Sequence, residues 1–223
     1  YPMELSVIIV SYNVRFFLEQ CLHTVREASE NLECETIVVD NNSSDESCNM
    51  VRSLFKDVRL IINNENKGFA AACNQGIRIA RGRYVLLLNP DTMVEEKAFK
   101  KCINFMDNNP DAGALGVKMI DGKGRFLPES KRGMPKPGSS FFRIYGLSRL
   151  FPRSPLFNHY HSVHLDNSRT GRIEVISGAF MFLRREALDK TGPLDEDYFM
   201  YGEDIDLSFR LINAGYNNYY FPE

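Results

Sequence analysis

Four short apolar runs, SVIIVSY at 6–12, TIVVD at 36–40, RLII at 59–62 and YVLLL at 84–88, alternate with segments of helical periodicity, and this alternation limits the chain more than any other feature. Continuous β-branched and aliphatic runs suit strands buried on both faces. Between them Leu18, Cys21, Leu22 and Val25 recur at helical spacing, then Val51, Leu54 and Phe55, then Phe69, Cys73, Gly76, Ile77 and Ala80. Ser43 and Glu46 have capping-box spacing ahead of the second helix, and Gly82 stops the third. Repeated strand and helix at this spacing demand right-handed crossovers. The fold class expected is therefore α/β, a Rossmann-like, mostly parallel sheet with helices on both faces.

Three strand ends are polar: Ser11-Tyr12-Asn13, Asp40-Asn41-Asn42 and Asn89-Pro90-Asp91. Open sheets of this kind bind ligands at the carboxyl ends of their strands, so these ends mark one rim as the candidate site.

The second half has a different texture. From Ser130 to Leu165 there is no acidic residue, but Lys131, Arg132, Lys136, Arg143, Arg149 and Arg153 occur among four prolines. This predicts an irregular loop over about 128–170. Pattern resumes at 173–183 as a strand pair, or as a strand entering a turn at Gly178. A short helix near 186–190 follows, then a turn at Gly192-Pro193. A final amphipathic helix starts near Glu203, with Ile205, Phe209 and Ile212 on its apolar face.

Charge and motif exclude several function classes. Twenty-seven Lys and Arg against twenty-nine Asp and Glu leave a net charge of −2, without the basic excess of a nucleic-acid binder. No P-loop, G-x-S-x-G elbow or H-E-x-x-H occurs. Gly122-Lys123-Gly124 begins a dinucleotide fingerprint, but Leu127 replaces its third glycine. No apolar run approaches the roughly 18 residues of a membrane span. The five cysteines are widely spaced and include no C-x-x-C, which suits reduced thiols in the cytoplasm. His159, His161 and His164 cluster in the irregular segment.

What remains is a set of carboxylates at element ends. Asp40 closes the second strand, Asp91 follows the fourth, and Glu203 and Asp204 open the last helix. Each has a bland explanation alone, as a strand end or as a partner of the helix dipole. Together they suit a hard cation, Mg²⁺ or Mn²⁺, at Asp91, completed by diphosphate oxygens and water. Asp204 then serves as general base toward an incoming hydroxyl.

These segments resemble family 2 glycosyltransferases of the GT-A fold. Ser6–Asn13 is similar to the family's opening strand, and Val38–Asp45 to its nucleobase-contacting segment. Asn66–Gly76 resembles the rhamnosyltransferase-like branch. Leu88–Thr92 matches the metal-binding D-x-D element, and Gly202–Leu207 the acid-rich catalytic motif. The resemblance implies one GT-A domain over 3–223, with a nucleotide-binding half at 3–115 and an acceptor half at 116–223. It implies an inverting transfer from a UDP- or dTDP-linked sugar to a glycan or lipid-linked acceptor. Asp204 and Glu203 would be catalytic and Asp91 the metal ligand. Ser11, Tyr12, Asn13, Asp40, Asn42, Gly68, Asn74, Asn89, Pro90, Gly178 and Ala179 would line the donor site.

Two departures follow. Only the last carboxylate of the D-x-D element is present. The chain also stops at Phe221-Pro222-Glu223, before a histidine ligand that many relatives carry, which implies a C-terminally truncated chain. A binding module without turnover is the alternative reading. Phe141, Phe142, Tyr145, Leu147, Leu150 and Phe151, interleaved with arginines, make 139–157 either a peripheral contact on the inner membrane face or a solvated loop over the cleft.

Overall fold

The computed structural model describes residues 3–132 and 167–223. In its first part β1 (Leu5–Ser11), α1 (Arg15–Ala28), β2 (Cys34–Asp40), α2 (Ser47–Leu54), β3 (Arg59–Ile62), α3 (Phe69–Ile79) and β4 (Tyr84–Leu88) alternate as the sequence predicts. Next come α4 (Ala98–Asn108), β5 (Ala112–Val117), β6 (Gly171–Ile173), β7 (Phe180–Arg184), α5 (Arg185–Thr191), α6 (Glu203–Asn213) and β8 (Asn217–Phe221). Eight strands form one sheet in the order β3-β2-β1-β4-β7-β5-β8-β6.

Side-chain alternation along β1 explains the two layers. Leu5, Val7 and Ile9 face α1, α2 and α4, while Ile8 and Val10 face α3, α5 and α6. Successive strand residues point to opposite faces, so a run apolar at every position needs helices on both.

Pairing fixes the direction of every strand. β1 is parallel to β2 and β4, β2 to β3, and β5 to β8, whereas β7 is antiparallel to β4 and β5, and β6 to β8. The carboxyl ends of β1, β2, β3, β4, β5 and β8 therefore share one rim with the start of β7. A helix leading into β8 begins at that rim too, which brings the first turn of α6 there.

Four expectations change. The 173–183 stretch is not a strand pair, because β6 lies at the sheet edge against β8 while β7 is inserted between β4 and β5. The Ser43–Glu46 capping box does not form. Ser43 Oγ accepts from Asn13 N instead, and Asp45 Oδ1 accepts from Ser47 N at 3.2 Å to hold the start of α2. On α6 the buried stripe is Glu203, Asp204, Leu207, Ser208 and Leu211, leaving Phe209 49% and Ile212 38% exposed. Ser208 is satisfied locally: its Oγ accepts from Ile176 N and its carbonyl oxygen from Asn218 Nδ2, so its polarity does not keep it outside. Last, Gly122 and Gly124 belong to the turn of a small hairpin closed by the Ile120–Phe126 bridge. Among the described residues no helix is long and apolar enough to cross a membrane.

Candidate functional site

The parallel register sets Ser11 directly beside Asp40 at the ends of β1 and β2. Both are buried, and Ser11 Oγ and Asp40 Oδ2 have no hydrogen-bond partner. Asp40 Oδ1 accepts from Ser43 N at 2.8 Å, which turns the chain sharply after the strand. Asn13 and Asn42 take left-handed backbone there, with φ of 54° and 69°. Asn is one of the few side chains that tolerates this region. Asn13 Oδ1 accepts from Ser44 N, so the two loops are tied together, and Tyr12 stands half-exposed above them. Cys48 lies beside Asp40, and burial followed by that carboxylate pushes its thiol up to about 11. Ser11 Oγ and Asp40 Oδ2 thus lie side by side in a niche closed to solvent, one donor beside one acceptor, with the Cys48 thiol against the carboxylate.

A second cluster forms where β4 ends. Asn89 N donates to Ala179 O at 3.0 Å, and Gly178 N donates to Asp204 Oδ2 at 3.2 Å. The Gly178-Ala179 turn thus joins the strand end that carries Pro90 and Asp91 to the first turn of α6. A side chain starting at Gly178 would meet Asp204, at 3.6 Å from Oδ2 to the position of the missing Cβ. Asp91 itself is exposed and forms no hydrogen bond or ion pair with any described residue. It is still near the core edge, because its charge adds to the burial that pushes the Cys21 thiol up to about 12.

Asp204 is 8% exposed and forms an ion pair with Arg132. Arg132 pairs with Val175 across an isolated bridge, which sets its guanidinium against α6. Sequence reasoning missed this arginine as a site residue. The available signal was its place at the start of the acid-free, basic stretch. A carboxylate offers roughly four lone-pair directions. In Asp204, Arg132 and Gly178 N take two on Oδ2 and Ile205 N takes one on Oδ1. Oδ1 keeps a free direction.

Three expected site residues have other surroundings. Asn74 is buried in α3, and its amide bonds both backbone groups of Leu194 and also Glu196 Oε1, so it pins the approach to α6 instead of lining an open pocket. Gly68, at φ 83°, leaves room for Phe199, whose carbonyl oxygen lies 2.5 Å from where a Cβ would sit. Its role is close packing. Glu203 is turned inward toward Cys73, with Oε2 unpartnered, and burial raises its carboxyl above the usual 4.5. The 139–157 segment and His159, His161 and His164 lie outside the described residues.

The Glu203 shift has a definite consequence. Because the folded state holds this proton more tightly, the associated stability is full below 4.5 and is lost as pH rises through the raised value. Glu203→Gln should therefore raise the melting temperature at pH 7, with the gain vanishing toward pH 4. Thermal melts across that range check it, and a gain independent of pH would contradict it.

The likeness to known proteins can be set beside this geometry. The model of glycosyl transferase family 2 matches residues 6–192. An N-acetylglucosaminyl-diphospho-decaprenol L-rhamnosyltransferase of Mycobacterium tuberculosis is 30% identical over 98% of this chain and 73% of its own length. A poly-beta-1,6-N-acetyl-D-glucosamine synthase of Staphylococcus epidermidis is 27% identical over 98% of this chain and 48% of its own. Among solved structures, a mannosyltransferase from Pyrobaculum calidifontis in complex with GDP-Man and Mn2+ superposes with a TM-score of 0.67 at 19% identity, over 100% of this chain. S. aureus TarS 1-349 in complex with UDP gives 0.65 at 18% identity over 99% of this chain. The chain spans 56% and 61% of those two structures. With the family model matching most of its length and the family's α/β sheet beneath it, the chain belongs to glycosyl transferase family 2.

Proposed function

We propose that the chain moves a sugar, with inversion, from a UDP- or dTDP-linked donor to a hydroxyl of a glycan or lipid-linked acceptor, using Asp204 as the base. One observation carries this reading: the Gly178-Ala179 turn, bonded to Asn89 on one side and to Asp204 on the other, draws the Asp91 strand end and the α6 carboxylate to a single rim. The Ser11–Asp40 niche supports the choice of base. Uracil and thymine each present an imide N–H beside a carbonyl, which would satisfy the Asp40 oxygen and the Ser11 hydroxyl together.

The residues present fit a hard dication. Asp91 offers an exposed, unengaged carboxylate, and among the described residues no three His, Cys, Asp or Glu converge to cage a metal. A site with one protein carboxylate draws its remaining ligands from diphosphate and water, which suits Mg²⁺ or Mn²⁺. When bound, such an ion would offset the charge that builds on the departing diphosphate. The chain's own part is to hold the donor sugar over Gly178 and Ala179, where little side chain intervenes, and to take the acceptor proton on Asp204 Oδ1. In this reading the half 3–115 binds the nucleotide, and the half 116–223 carries the turn under the donor sugar, the base and the acceptor site. The TarS and mannosyltransferase complexes support a nucleotide donor, and the likeness to a mycobacterial N-acetylglucosaminyl-diphospho-decaprenol L-rhamnosyltransferase supports an acceptor related to N-acetylglucosaminyl-diphospho-lipid. Cytoplasmic nucleotide sugars, and five cysteines that are all free, support work on the inner side of the membrane.

Thermal shift with UDP, dTDP and NAD, with and without Mn²⁺, tests the reading. The expected result is stabilisation by a uridine or thymidine diphosphate that grows with Mn²⁺, about 2.7 kcal/mol at a hundredfold excess over Kd. Asp91→Asn should remove the Mn²⁺-dependent part and leave the metal-free part. Stabilisation by NAD alone, or an Mn²⁺ effect that survives Asp91→Asn, would contradict it.

A further inference from the structure

The loop entering α6 carries an exposed apolar surface. Tyr198, Phe199, Met200 and Tyr201 are 39%, 59%, 55% and 82% exposed, a continuous apolar run where a merely solvated connection would be polar. The run is not loosely held. Asn74 clamps Leu194 and Glu196, Phe69 N donates to Phe199 O at 2.8 Å, and Phe199 fills the space over Gly68. The Tyr198 ring lies 2.8 Å from where a side chain at Gly202 would begin. Three of the four residues therefore have a packing or anchoring role, or flank one.

Tyr201 has none. Its side chain is the most exposed of the four, yet its backbone sits at φ 71°, a region unfavourable for an aromatic residue, and Gly202 follows at φ 106°. Its backbone bond to Glu203 does not call for an aromatic side chain, and an exposed ring kept on a left-handed backbone marks a position where that ring is presented for use. It stands three positions before Asp204, whose free Oδ1 direction must meet the acceptor hydroxyl. Nucleobase stacking does not require it, since half-exposed Tyr12 already stands at the β1 end above the Ser11–Asp40 niche.

We infer that Tyr201 is the stacking platform for the acceptor sugar, its ring face lying against the apolar C–H face of a pyranose and setting that sugar's hydroxyl toward Asp204. A tyrosine suits this task because it offers a large flat face with few rotatable bonds to immobilise. The inference rests on the transferase reading above.

The chain has no tryptophan, so Tyr201→Trp introduces a single reporter at the platform itself. Octyl N-acetylglucosaminide and UDP are the probes, titrated separately against the indole emission of that variant. The glycoside should shift the emission and UDP with Mn²⁺ should not. By saturation-transfer NMR, Tyr201→Ala should weaken glycoside binding at least tenfold, Tyr201→Phe less than threefold, and neither should change the UDP thermal shift. Tyr201→Gly should lose glycoside binding equally while melting higher than the parent, because glycine relieves the left-handed strain. A purely structural Tyr201 gives the opposite sign, a lower melting temperature. The inference is overturned by a lower melt for Tyr201→Gly, by UDP quenching the reporter, by glycoside binding unchanged in Tyr201→Ala, or by no glycoside binding to the parent. If UDP fails to stabilise the parent while the glycoside still binds at Tyr201, the donor reading fails and the platform stands.

Discussion

Asp204→Asn should lower turnover about a thousandfold while the donor-induced thermal shift stays that of the parent. The substitution keeps the size of the side chain and its place at the start of α6, but an amide oxygen cannot take a proton from the acceptor. In the proposed donor site the nucleotide meets Ser11, Asp40 and the β4 end, and the contact of that site with residue 204 is the bond from Gly178 N, which an amide oxygen still accepts. Steady-state rates with saturating donor and acceptor, read beside melts with UDP and Mn²⁺, separate the two effects. Unchanged turnover would remove Asp204 as the base. Lost donor binding with lost turnover would give it a donor role instead.

Arg132→Ala is the second change with a large expected effect, and here the effect is on stability. The Arg132 and Asp204 side chains are only 15% and 11% exposed, so their charges are mostly out of water and compensate each other. Removing one member of such a pair leaves the other uncompensated, which costs roughly 3 kcal/mol at this depth. For a chain of this size that corresponds to a fall of about 6–12 °C in melting temperature. Asp204 would keep only Gly178 N and Ile205 N to hold its orientation, so turnover should fall as well. Arg132→Lys retains the charge without the planar fork and should recover part of the stability but less of the turnover. A loss below about 0.5 kcal/mol, the range of exposed pairs, would show that the pair is solvated in solution.

The parts of the fold that were legible in the sequence are those where one physical demand acted alone. β1, β2 and β4 are buried on both faces at Val7–Val10, Ile37–Val39 and Tyr84–Leu88, so apolar and aromatic residues fill those stretches and the runs read plainly. The stripe Leu18, Cys21, Leu22 and Val25 on α1 faces one layer only and was equally clear. β5 was not read, because AGALGV trades side-chain bulk for close packing; Gly113 lies under Tyr216 and Gly116 near Ile176. β8 was not read because Asn217 and Asn218 are polar yet bonded to Asp111, Glu174 and Ser208. α4 carries a regular stripe, Phe99, Cys102, Ile103 and Met106, and was visible in principle.

The site divides in the same way. Asp40, Asn89, Asp91, Gly178 and Asp204 meet at one rim because strand direction alone brings them there. Arg132 could not be placed, since its approach to Asp204 depends on a single bridge to Val175 that no periodicity announces. Glu203 looked equivalent to its neighbour, but adjacent helical positions diverge by about 100°, so one carboxylate faces the rim and the other the α3 interface.

Diffraction from crystals grown with UDP or dTDP and Mn²⁺, with anomalous data at the manganese edge, tests the central claim most directly. One strong peak is expected at the Asp91 carboxylate, with the diphosphate beside it and the Asp204 carboxylate facing the same cleft across the Gly178-Ala179 turn. A metal and diphosphate found elsewhere, such as the hollow of about 440 Å³ lined by Glu27, Glu30, Lys97 and Lys101 between α1 and α4, would contradict it.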